Sequence, residues 1–169
     1  MPLTPFHLGP GAVLAVLTLK FFNLWAILFG SVVMDIEPLV LILVKKCYFC
    51  PHHAFFHSIL GAFAGSFILA TILYKLREKL DKTSLKFKIF QSFSFKNLYF
   101  SSLLAWLIHI SFDSLTHFDV FPFWPSYFNP IFIGKEIYWP LNLICLIFGI
   151  FGIIFFYRYH KSLKPDLKP

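Results

Sequence analysis

Few features restrict a chain as tightly as ionisable side chains inside an apolar run that could cross a bilayer. Leu98 to Ile110 is such a run, and it closes on His109-Ile110-Ser111-Phe112-Asp113-Ser114-Leu115-Thr116-His117. Residues four apart share one face of a helix, so His109, Asp113 and His117 should point the same way. A membrane helix gains nothing from an imidazole and a carboxylate unless something pairs them. Three other clusters could meet this face: His7, the pair Asp35 and Glu37, and the group His52, His53 and His57. Together they commit six of the seven histidines and three of the eight acids to one expected site.

The rest of the chain is apolar enough to make the bilayer its natural solvent. Apolar residues make up 58% and charged ones only 14% of 169 residues, against about 45–50% apolar in soluble domains. Several runs approach the ~20 apolar residues that cross a bilayer, and a small soluble fold could not hide them all. The expected fold class is all-α, a polytopic membrane bundle of about five helices, some short or broken, forming one domain over residues 1–169. The opening residues lack a charged stretch followed by a short apolar segment and a small-residue cleavage site, so no cleavable signal is expected.

Thr4-Pro5 and Gly9-Pro10 resist helix, which places the first helix from about Pro10 to Leu19, too short to span alone. Asn23 reads as the N-cap of a second helix over Leu24 to about Ile36, broken at Pro38. Pro38 to Val44 continues as a short apolar segment, and Cys47 to Pro51 is a loop. A third helix is expected from about His53 to Leu76, a fourth from Asn97 to His117 and a fifth from Pro140 to Tyr157. The stretch from Lys75 to Lys96 reads as a hydrophilic loop. Asp119 to Tyr138, rich in proline and aromatic residues, suits the membrane interface.

Charge orients this bundle. If the basic loop at about 75–96 is cytoplasmic, alternating spans put Lys20 and the basic tail 158–169 on the same side. Twelve of the fifteen basic residues then face the cytoplasm, leaving Lys45, Lys46 and Lys135. The formal charge of +7 is thereby used on orientation and anionic lipid, and no nucleic-acid partner is expected. The same alternation gathers the His and acid clusters near the outer face of the cell membrane.

Neutral imidazoles with carboxylates fit Zn²⁺, Fe or Mn²⁺, with Zn²⁺ first. More than four candidate ligands make room for more than one ion, and such sites clamp phosphoryl displacements. Lipid phosphoesters are the substrates nearest to hand. Asp35 and Glu37 diverge on a regular helix unless the break at Pro38 turns Glu37 back.

The order His7, Met34-Asp35-Ile36-Glu37-Pro38, His52 with His57-Ser58, then His109, Asp113 and Thr116 resembles the family of membrane-bound metal-dependent hydrolases. That family is thought to be distantly related to zinc-dependent phospholipase C and the zinc single-strand nucleases. The resemblance covers residue 7 to about 125. It implies that His7, Asp35, His52, His57, His109 and Asp113 are metal ligands. The chain departs from the family pattern at Glu37, where a second Asp is usual. It departs also at His53-Ala54, which replace Arg-Gly, and at Phe56, which replaces Thr. Glu37 remains a candidate for general base or peripheral ligand.

Plainer readings apply elsewhere. His117 and Asp119 read as surface groups at the water boundary, His53 as interfacial or part of the site, and His160 as part of the basic tail. Cys47-x-x-Cys50 resembles half a zinc knuckle without a second pair, or a disulfide. The leading function is a metal-dependent hydrolase of a phosphoester, lipid-linked or small, working among membrane lipids. The alternatives are a metal-ion or proton carrier, since intramembrane His and Asp also mark ion pathways, and a non-enzymatic scaffold. A carrier should continue its polar residues to the inner face, and Leu60 to Tyr74 offers only Ser66 and Thr71.

Overall fold

The computed structural model describes residues 4–45 and 53–162, so His52, Cys47 and Cys50 lie outside the described residues. Among the described residues the structure is all-helical. Its elements are α1 (Thr4–Leu17), α2 (Leu24–Gly30), α3 (Ile36–Lys45), α4 (Ile59–Lys75), α5 (Arg77–Lys86), α6 (Phe95–Thr116) and α7 (Tyr138–Ser162), with short 3₁₀ turns between some of them. Three stretches are long and apolar enough to cross a membrane: Leu24–Val44, Phe95–Thr116 and Lys135–Ser162. A fourth span is available if α4 and α5, bent by 73°, are taken together.

The bundle is arranged around α6. Helices α2 and α4 pack on it, and α1 bridges α2 to the outer helix α7. The core comprises Ala26, Met34, Ala62, Leu69, Leu98, Trp106 and Ile110 with their neighbours. By contrast α7 leaves Leu143, Leu146, Ile150 and Ile153 exposed along its length, as expected of a helix facing acyl chains. It meets α1 through small residues: a Cβ at Gly9 would overlap the Cys145 carbonyl, and one at Gly152 would come within 2.8 Å of Ala12 Cβ. Membrane helices approach closely through such contacts.

Several boundaries differ from those the sequence implies, each for a local reason. Helix α1 begins at Thr4 and carries Pro10 inside it. Proline removes one helical hydrogen bond, which membrane helices tolerate when packing holds them, and α1 is held along α7. The span after Asn23 breaks not at Pro38 but after Gly30, where α2 gives way to a 3₁₀ turn over Val33–Asp35. Pro38 lies in the first turn of α3, where its missing N–H is of no consequence. Asn23 does cap α2, its Oδ1 accepting from Ala26 N–H at 3.1 Å.

Helix α4 starts at Ile59 rather than near His53. Ser58 is its N-cap, accepting from Gly61 N–H at 3.0 Å, and His57 lies in the preceding 3₁₀ turn. The polar stretch 75–96 is not all loop, because Arg77–Lys86 forms α5. Its low hydropathy hides it from any search based on apolar periodicity. The segment 119–138 is irregular apart from a 3₁₀ turn at its end. It is tied back by Ile59 N–H to the Pro122 carbonyl at 2.9 Å and by Asn129 Nδ2 to the Ser114 carbonyl at 2.8 Å.

The alternation of helices brings four element ends together. At one end of the bundle the start of α2 is bound to the segment before α6 and to α6 itself: Leu24 N–H donates to Gln91 Oε1 at 2.8 Å and Asn23 N–H to Ser101 Oγ at 2.8 Å. At the other end lie the start of α1, the break between α2 and α3, the approach to α4 and the last two turns of α6. These carry His7, Asp35, His57, and His109 with Asp113.

Candidate metal centre

Each of these four ends delivers a side chain for a reason visible in its backbone. Ending α2 at Gly30 leaves carbonyls without helical partners, and the Ser31 carbonyl is met by His109 Nδ1 at 2.7 Å. A carbonyl only accepts, so Nδ1 carries the proton and Nε2 is left to face inward. The 3₁₀ turn after the break points Asp35 at that same Nε2. Glu37, two residues on, reaches the other way. Its Oε1 accepts from Phe56 N–H at 3.0 Å, and its Oε2 from Ala54 N–H at 3.1 Å and His57 Nδ1 at 2.8 Å. Those bonds hold the segment before α4 out of the helix and turn His57 Nε2 inward. Trp106 completes the support, its indole N–H donating to the Phe56 carbonyl at 2.9 Å.

Four atoms therefore converge: Asp35 Oδ1, Asp113 Oδ2, His57 Nε2 and His109 Nε2. His109 Nε2 lies 3.0 Å from Asp113 Oδ2 and 3.3 Å from Asp35 Oδ1. His57 Nε2 lies 3.7 Å from the same Asp113 oxygen and 3.8 Å from the same Asp35 oxygen. A tetrahedron with metal bonds of 2.0–2.1 Å has edges of about 3.3–3.4 Å, and these four separations bracket that value. All four residues are buried, and both Asp35 oxygens and His57 Nε2 lack a hydrogen-bond partner. The orienting bonds on the far nitrogens, one to a carbonyl and one to a carboxylate, are the support that metal-bound histidines usually have.

His7 belongs to the site but stands off this set. Its Nε2 lies 3.2 Å from Asp113 Oδ1, the oxygen turned away from the other imidazoles, and its ring stacks on His109 with centroids 3.8 Å apart. Of the ligands implied by resemblance, the structure thus brings Asp35, His57, His109 and Asp113 into one set and places His7 beside it. His52 is outside the described residues. Glu37, a candidate general base on sequence, has both oxygens engaged in holding the turn before α4 and His57.

Two carboxylates buried together require compensation, and protonating the histidines could supply it. A divalent ion supplies two charges at one point and uses the lone pairs as they stand. Burial of the His57 ring works against its protonation, but the adjoining Asp35 and Glu37 carboxylates outweigh this and its pKa moves up.

A second group lies alongside. His53, His117 and Asp119 each offer an atom within a common 4.8 Å. His117 and Asp119, which the sequence presents as surface groups, are drawn inward here: Asp119 is buried and His117 half-buried, because the chain turns back beneath α6 at His117. Burial pushes the pKa of His117 down to about 4, so its ring is neutral at physiological pH. The sequence signal for this group was the i, i+4 relation of Asp113 and His117, which carries the polar face one turn past the first site.

Residues 1–164 match the family described as YdjM inner membrane protein. The chain belongs to that family. Neither a curated protein nor a solved structure matches it. Membership of the YdjM family, with the apolar spans above, makes this a membrane protein whose buried His and Asp cluster could bind a metal.

Proposed function

We propose that this chain is a membrane-embedded metal-dependent hydrolase acting on a phosphoester, most readily a lipid-linked one. The observation that carries the reading is the four-atom set of Asp35, His57, His109 and Asp113, with both imidazoles oriented from behind. An ion held there, Zn²⁺ first by donor chemistry, supplies Lewis acidity and acidifies water towards neutral pH. Hydrolysis breaks the bond between phosphorus and the ester oxygen, forms one from phosphorus to the oxygen of water, and returns a proton to the leaving alcohol.

The chain's own residues divide this work. Asp35, Asp113, His57 and His109 hold the ion, the Ser31 carbonyl and Glu37 fix the two imidazole tautomers, and His7 bears on the far oxygen of Asp113. A cavity of about 390 Å³ opens between α3 and α4. Its wall is apolar, with Val33, Val40, Leu41, Ile68 and Ile72 along it, and Glu37 stands at its polar end. Gly65 to Ile72 alone follow roughly 10 Å of α4, room for part of an acyl chain whose headgroup ends beside His57. This supports a lipid-linked substrate over a small soluble one. The excess of basic residues on the opposite end favours a site towards the outer face.

Protein purified in mild detergent should hold stoichiometric transition metal and hydrolyse a phosphomonoester or phosphodiester lipid. Chelation should abolish turnover and metal should restore it. Well-folded protein with neither metal nor metal-dependent hydrolysis would overturn the reading.

A further inference from the structure

His53, His117 and Asp119 stand outside the four-atom set and have no part in the function proposed above. His53 Nδ1 lies 3.0 Å from Asp119 Oδ2, and the His53 backbone N–H reaches the same oxygen at 3.3 Å. The His53 and His117 rings are 4.7 Å apart, centroid to centroid. His53 is only 8% exposed, its Nδ1 meets no group but the Asp119 carboxylate, and neither its Nε2 nor His117 Nε2 has a hydrogen-bond partner. Buried ring nitrogens left without a partner are costly unless something binds them. Two imidazoles and a carboxylate form a donor set for Zn²⁺, Fe²⁺ or Mn²⁺ that leaves coordination positions open.

Two further features favour a cation here. His117 is the C-cap of the 22-residue α6, where the carbonyl end of the helix attracts positive charge. His117 is also half-buried rather than sealed, which leaves an ion a way in. The group adjoins the first one directly, since the His53 ring stands edge-on to His57 with centroids 4.6 Å apart. One short segment before α4 therefore supplies a histidine to each.

We infer that His53, His117 and Asp119 form a second divalent-metal position, so that the chain carries a paired centre. The inference rests on the proposed hydrolase reading for its role, since paired ions clamp the attacking and leaving oxygens of a phosphoryl displacement. It stands apart from that reading in its evidence.

Metal content separates the two. Detergent-purified protein would be loaded with Co²⁺, desalted, and measured by elemental analysis and by visible absorption of the bound ion. Helix content and a single elution peak would be required of every variant. Wild type should hold two equivalents, and His117→Ala and Asp119→Asn should each lose one with the corresponding part of the absorption. His117→Ala removes a half-buried ring whose Nε2 has no hydrogen-bond partner, so the fold should stand. His109→Ala should lose the other equivalent. If wild type holds one ion that His109→Ala removes and the other two variants keep, the second position is refuted and the first survives. An ion lost in His117→Ala and Asp119→Asn but kept in His109→Ala would uphold the second position and overturn the first. Two ions retained in both His117→Ala and Asp119→Asn refute the inference, and folded protein that binds none refutes both.

Discussion

Replacing Glu37 by Gln separates two roles that a carboxylate beside a metal site can play. In the structure its oxygens accept three hydrogen bonds, from Phe56 N–H at 3.0 Å, Ala54 N–H at 3.1 Å and His57 Nδ1 at 2.8 Å. A glutamine has one acceptor oxygen. If that oxygen keeps Ala54 and His57, the amide group is set against Phe56 N–H, donor against donor. Leaving that N–H unpaired costs about 1–3 kcal/mol, and the charge assistance to His57 is lost as well. His57 should swing more freely, and loss of such a support usually weakens metal binding about 10–100-fold. That corresponds to about 1.4–2.8 kcal/mol. Competition with a chromophoric chelator in micelles reads the affinity, and turnover at saturating metal reads the chemistry. Weaker binding with turnover restored by excess metal is the expected result. Affinity unchanged to within about twofold, with turnover down roughly 10²–10⁴-fold, would refute the argument and make Glu37 a proton-transfer group.

Other consequences can be checked on the same preparation. His109→Ala and Asp113→Asn should each lose the first ion, whereas His160→Ala, exposed near the end of α7, should keep it. Gly65→Ala would push a methyl group into the Trp106 ring, and overpacking of this kind costs about 1–3 kcal/mol; a lower thermal midpoint should follow. For orientation, Lys82→Cys and Ser126→Cys would be made in a chain with Cys47, Cys50 and Cys145 replaced. An impermeant thiol reagent on intact cells should label position 126 and not 82, and the reverse would put the centre on the cytoplasmic side.

What could be read in the sequence was what depends on residue type and local period. The His109/Asp113 face follows from spacing on a regular helix, and α6 is regular throughout, so the expectation and the geometry coincide. The Asn23 cap is equally local. Glu37 could not be placed, because its direction depends on where the Leu24–Val44 span breaks. Pro38 seemed the obvious breaker, yet proline is harmless in a first turn, and the break fell at Gly30-Ser31 where α2 lies close against Ser102 and Ala105. His53 and His57 came together by a different route from the one their spacing implied. They sit in an extended segment and a 3₁₀ turn ahead of α4, fixed by Glu37 and Trp106 through bonds that span 17 or more positions of the chain. Asp119 was assigned to the surface because nothing local announces that the chain folds back under α6.

The same interior that holds the donors also bears on whether ions pass through it. A carrier needs polar groups stepping from the centre to the opposite end of the bundle. Below Asp35 and His109 the interior is mainly apolar, with Ala26, Met34, Ala62, Leu69, Leu73, Leu98, Leu103 and Trp106 packed as one cluster. Only single hydroxyls interrupt it: Ser66 on α4 and Ser102 on α6 are buried without a partner, and Thr71 turns out to bond the Phe67 carbonyl at 2.8 Å. Ser101, Asn23 and Gln91 form a polar group only at the far end, where Ser101 Oγ accepts from Asn23 N–H, Gln91 Oε1 from Leu24 N–H, and Asn23 caps α2. A divalent ion crossing the apolar layer would shed its ligands with nothing to replace them, at a penalty of several kcal/mol or more. Protein reconstituted into vesicles should therefore show no metal flux above empty vesicles while it hydrolyses phosphoester lipid in the same membranes. Flux that Asp113→Asn eliminates, in the absence of hydrolysis, would show that the apolar layer opens and that the centre is a station on a pathway.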